Sequence, residues 1–224
     1  MSGPGPTRRL AAKLELAAPV YAAAAARLWA SDRVRELYPV YLATMHMVAR
    51  ASVPLLRAGR VRARALAGRD PVAAGLDEPL RVALGERLGL ATALLDDLEA
   101  SGIDRGLPDA AIPSPAVARL VGALAYWVDH HHPAALLGYL AALEQLPPSP
   151  GFTADLAART GLPAPAFAHL RARERAGARS LDLDRLGLTA RDEGLIGLAA
   201  LHTVDAGIDV LAEIHARVFE RPCG

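Results

Sequence analysis

Asparagine is absent from the 224-residue chain, and lysine, glutamine and cysteine occur once each, as Lys13, Gln145 and Cys223. A single cysteine beside the C-terminus excludes an internal disulfide and a cysteine-built zinc site, and on a tail it is no nucleophile. The scarcity of lysine and side-chain amides reads as the codon bias of a GC-rich genome and carries no function. Aromatic residues make up only 4%, so the interior must be Ala, Leu and Val, which favours closely packed helices. Charge of one sign is also missing. The balance is 25 basic against 24 acidic residues, a formal +1, with no basic run, which removes the electrostatic footprint of a nucleic-acid binder. No apolar stretch follows Arg8-Arg9, and Ala17–Ala26 is too short and too alanine-rich to span a bilayer. No membrane partner is expected, and the expected compartment is the cytoplasm.

What is present is helix. Hydrophobic residues reach 52%, enough for one domain with a substantial core. Residues 1–9 read as a disordered tail, 10–219 as one helical domain and 220–224 as a C-terminal tail. Leu10–Trp29 is helix-compatible though interrupted by Pro19. Ser31 and Asp32 offer a cap before Val34 to about Arg69, where Pro39 and Pro54 predict two or three helical pieces. Leu76–Ala100 is opened by Asp77, Glu78 and Pro79 and closed by Ser101-Gly102. A loop over Ile103–Ser114 precedes a helix from Pro115 through Val128. His130-His131-His132 falls at a helix junction, where adjacent side chains diverge by about 100° and cannot converge on one ion. Further helices follow over Ala134–Leu146 (stopped by the prolines after it), Ala154–Thr160, Ala166–Arg179 and Thr189–Phe219. No segment alternates with a period of two and no long repeat is visible, so the fold class is all-α, a compact bundle rather than a solenoid.

Four stretches, taken in order, resemble one family. They are Tyr41–Leu56 with His46 inside it, Leu94–Gly102 with its Asp96-Asp97 pair, Tyr126–Glu144 across the histidine triplet, and His169 onward to Leu181–Thr189. The resemblance is to the heme-oxygenase-like proteins called iron-containing redox enzymes, and it runs from about residue 38 to 214. It implies a single-domain bundle of about seven core helices. Active members hold two irons between these helices and use dioxygen on amino-acid-like or fatty-acid-like substrates, often in natural-product pathways. The family's Glu-Glu-x-x-His pattern meets Glu86-Arg87-Leu88-Gly89-Leu90 here, so two expected ligands have become Arg87 and Leu90. Its His-x3-Asp-x2-His pattern meets His169 to Ala176, so the aspartate has become Arg173 and the second histidine Ala176. Only Glu144 and His169 survive among the ligands, with His46 and Glu86 as neighbours, which implies a degenerate di-iron site and no bound cofactor.

A pocket built around carboxylates needs a cation, and a guanidinium supplies fixed charge and five donors. Arg173 is therefore expected to pair with Glu144 or Glu86. His169 and Arg173 share a helix face by their i,i+4 spacing. Glu144 stands in an otherwise apolar helix and His46 on an inward face, whereas Asp96-Asp97 reads as a cap-region acidic pair. The leading functional reading is a metal-independent protein of secondary metabolism acting on, or binding, an anionic small molecule. Glu144 and His169 would carry protons, Arg173 would orient the anion, and His46 and Glu86 would line the site. The fold class includes iron-free members, thiaminase II and pyrroloquinoline-quinone synthase relatives. A second reading is a non-catalytic subunit paired with a second copy or another pathway protein, because the apolar Leu10–Ala30 segment needs covering. A third is an oxidase with a reduced iron site.

Overall fold

A computed structural model of the chain describes residues 3–144, 149–176 and 181–219. Gln145, Cys223, the prolines at 147 and 148, the expected helix ends at Leu146 and Arg179 and the 220–224 tail lie outside these residues. The described residues form ten α-helices and no strand: α1 (Pro6–Trp29), α2 (Val34–Leu66), α3 (Pro71–Ala74), α4 (Asp77–Ala100), α5 (Gly106–Ala110), α6 (Pro115–His130), α7 (Ala135–Glu144), α8 (Phe152–Thr160), α9 (Ala168–Ala176) and α10 (Ala190–Phe219). A 3-10 turn at Ala164–Phe167 leads into α9. The one-turn helices α3 and α5 fall in stretches read above as connections.

Local chemistry accounts for most boundaries. Ser114 caps α6 by accepting the Val117 amide, with Pro115 at the first helical position. Ser101 ends α4, and Gly102 follows at φ 85°, the left-handed geometry that closes a helix. Two expectations need correction. The chain from Pro6 onward is not a tail but the first turn of α1, held down by the Arg9–Glu193 ion pair and by the Thr7 amide donating to Asp184. The prolines do not divide their helices: α1 runs unbroken through Pro19, and the stretch from Val34 is one continuous helix despite Pro39 and Pro54. The cost of two missing backbone bonds is outweighed by burial along α2, where Leu37, Tyr38, Leu42 and Leu56 are sealed from solvent.

Helix α2 packs along α4, while α10 lies against α7 and α1. The α7–α10 crossing uses the small residues that the composition supplies: Ala135, Ala141, Ala142, Ala199 and Ala200 are all buried. Gly138 sits where a Cβ would collide with the Ile196 carbonyl and lie 2.8 Å from the Ala200 amide, so the two backbones touch. Among the described helices α10 is long and apolar enough to cross a membrane, yet 50% of that window is buried inside the bundle, as in a core helix. The histidine triplet does sit at a junction. His132 accepts the Ala134 amide through Nδ1 and pairs through Nε2 with Asp70, the cap of α3.

Candidate functional site

Helix α4 turns a stripe of Leu80, Ala83, Leu94, Asp97 and Leu98 into the core. Asp97, three residues after Leu94, shares that face and has no solvent exposure. An isolated carboxylate there would be costly, and His169 at the start of α9 supplies its donors. Asp97 Oδ2 lies 3.1 Å from the His169 backbone nitrogen and 2.6 Å from its Nδ1. The carboxylate therefore satisfies an otherwise orphaned amide in the first turn of α9 and places negative charge at that helix's positive end. The same contact fixes the neutral ring in its Nδ1–H form, leaving the Nε2 lone pair as acceptor. Among the described residues, Nε2 and Asp97 Oδ1 have no hydrogen-bond partner.

His169 is in the wall of a cavity of about 370 Å³ between α4, α7 and α9, together with Glu86, Arg87, Glu144 and Arg173. Space exists there because Gly89 and Ala93 on α4, and Ala172 and Ala176 on α9, present almost no side chain. Glu144 ends α7, and Arg87 reaches across from α4 to place a guanidinium nitrogen 3.3 Å from its carboxylate. Both side chains are largely shielded, at 11% and 24% exposure, so this pair is screened less than a surface bridge. Arg173, one turn after His169, donates to the Leu143 carbonyl at 3.0 Å. Two cations thus converge on the C-terminal end of α7, the negative end of its dipole.

The structure brings four of the five expected residues, Glu86, Glu144, His169 and Arg173, around one space. His46 is the exception. It is buried on α2, its Nδ1 is 3.0 Å from the Ala91 carbonyl, and it does not line this cavity. The guanidinium hydrogen-bonded to Glu144 is that of Arg87, not Arg173, because α4 faces the end of α7 directly while Arg173 is turned to the last carbonyls of α7. Sequence reasoning placed Asp97 in the cap region, where its carbonyl does accept from Ser101, but missed its buried side chain. The available signal was its spacing from Leu94 on an apolar stripe, whereas Asp96 is exposed and pairs with Arg105.

Two irons in a helical bundle need about six carboxylate or imidazole donors. This cavity offers two glutamates and His169, with two guanidiniums in the same wall. Among the described residues no group of three or more His, Cys, Asp or Glu is placed to hold a metal ion. The residues present do not fit a di-iron centre.

No protein-family model matches the chain, and no curated protein matches it significantly. Among solved structures it is similar to a domain of unknown function with a heme oxygenase-like fold from Shewanella denitrificans. The TM-score is 0.65, with 13% identity, over 92% of this chain and 93% of that one. At that identity the likeness concerns the fold, and it extends over nearly the whole helical arrangement described above. The chain is a helical bundle with a heme oxygenase-like fold.

Proposed function

We propose that this protein belongs to natural-product metabolism and acts, without a metal, on an anionic small molecule held in the α4–α7–α9 cavity. The observation that carries the reading is the buried Asp97–His169 pair set into a wall that also bears Arg87 and Arg173. His169 takes a proton at Nε2, and the Asp97 carboxylate, fixed at Nδ1, stabilises the imidazolium that results. Asp97 is a positioning residue. Glu144, hydrogen-bonded to Arg87, is the second proton carrier, and Arg173 orients the substrate anion at the end of α7. The setting in secondary metabolism rests on the family resemblance, and a cytoplasmic location on the scarcity of cysteine.

Protein purified from cells supplied with ferrous iron tests the chemistry. Metal analysis is expected to find far less than one iron per chain, and two irons per chain would overturn the reading. Added phosphate or an aliphatic carboxylate is expected to raise the melting temperature, with the rise lost in Arg173→Gln. A partner-subunit reading has one supporting observation, the exposed Leu16 and Val20 on the outer face of α1. Gel filtration with and without the products of neighbouring genes distinguishes it.

A further inference from the structure

A second chamber, of about 550 Å³, opens between α1, α2, α8 and α9 and shares Arg173 with the first. Its volume is in the range of small-molecule sites. The chain has only two Trp, three Phe and five Tyr, yet Tyr21, Trp29, Tyr41 and Phe152 all line this one space. The Trp29 ring meets Tyr41 edge-on at 4.9 Å between centroids and Phe152 at 5.5 Å. Three helices thus contribute rings to one wall, an arrangement suited to edge or face contact with another flat ring.

The donors of this chamber include Tyr21, Tyr41, Arg159 and Arg173, and its one carboxylate among the described residues, Asp155, is exposed and paired with Arg159. Tyr41 is only 9% exposed and, with the partly buried Tyr21, lines the chamber. A phenol hydroxyl donates to a carboxylate oxygen, and such a charge-assisted bond is stronger than one between neutral groups. Burial pushes the Tyr41 phenol up to about 12, so at neutral pH it keeps its proton and can donate it to a hydrogen bond. The Arg173 guanidinium opposes that upward push on both Tyr21 and Tyr41, which places its charge close to both rings. The same three side chains also border a smaller inner cavity of about 80 Å³. Arg173 keeps its bond to the Leu143 carbonyl, and Arg159 holds the carbonyls of Trp29 and Ser31 and pairs with Asp155.

We infer that this chamber binds an aromatic carboxylate, its ring against Trp29 and Phe152 and its carboxylate at Arg173 between the Tyr21 and Tyr41 hydroxyls. The inference rests on the anion-binding role given to Arg173 above and adds the class of molecule and its location.

Calorimetric titration of the full chain with trans-cinnamate tests it, with cinnamamide and hexanoate as the uncharged and non-aromatic comparisons. Cinnamate is expected to bind one per chain and at least tenfold more tightly than either. Tyr41→Phe, which removes one oxygen and leaves the ring, is expected to weaken it at least fivefold, and Trp29→Leu at least tenfold. Binding is also expected to quench the fluorescence of Trp29 in the unmodified protein, a readout independent of how any variant folds. His169→Gln is expected to leave cinnamate affinity within twofold, so that a failed acid/base reading would not remove the binding. No binding at millimolar cinnamate, equal affinity for cinnamamide or hexanoate, or affinity unchanged in Tyr41→Phe would overturn the inference. Loss confined to His169→Gln would do the same by assigning the ligand to the first cavity.

Discussion

The middle of α7 and its C-terminal end are less than two turns apart, yet they are built on opposite rules. At Gly138 the backbones of α7 and α10 touch, among buried alanines and other apolar side chains. At Glu144 the neighbours are long, charged and arranged around empty space. The first region is what a chain poor in aromatics needs for a dense core: close helix approach in place of large rings. The second departs from that rule, with a carboxylate, two guanidiniums and a buried Asp–His pair where hydrophobic packing would be cheaper. Residues of the crossing should therefore control folding, and those of the cavity wall should be far less important for folding than for ligand binding.

That contrast can be broken or sharpened experimentally. Gly138→Ala is expected to have the largest effect, about 3 kcal/mol or an outright failure to fold, read by chemical denaturation, because the obstructing atoms are backbone and cannot turn aside. Asp97→Ala comes next, at about 2 kcal/mol, since it strips an amide and an imidazole nitrogen of their acceptor. A loss as small as that of a surface variant would mean the pair contributes little to holding α9. Glu144→Gln is expected to cost at most about 1 kcal/mol while abolishing turnover of any substrate found for the cavity. A large stability loss there would erase the distinction between the two ends of α7.

A further effect is one of pH, confined to the alkaline range. Burial raises the Tyr41 phenol from its ordinary value of 10.0 to about 12. The folded state therefore keeps a proton that the unfolded chain releases first. The stabilisation is complete below about pH 10 and declines as pH rises toward 12. Tyr21, Tyr38 and Tyr139 are shifted the same way by burial, so Tyr41→Phe should flatten the alkaline melting curve without removing its slope.

Much of the bundle was legible in the sequence because helix ends are chemical events within a few residues. Ser114-Pro115 and Ser101-Gly102 mark real boundaries, and the order of the four family-like stretches indicated the fold that the structural comparison supports. The continuity of α2 through Pro39 and Pro54 was not legible, because burial on α4 decides it and no local rule records that. Around the cavity, Glu86, Glu144, His169 and Arg173 could be brought together by matching them to a pattern. Which guanidinium meets Glu144 depends on how α4 and α9 approach the end of α7, and that geometry has no local signature. Asp97 and His169 are 72 positions apart, so their contact is a property of the tertiary structure, though the apolar stripe on α4 pointed toward a buried Asp97.

Because one oxygen of Asp97 grips both the backbone and the ring of His169, the side chain from α4 sets the rotational phase of α9, and Arg173 one turn later inherits that setting. The backbone half of that grip does not depend on the imidazole, so the main chain of α9 keeps Arg173 in place whatever the ring does.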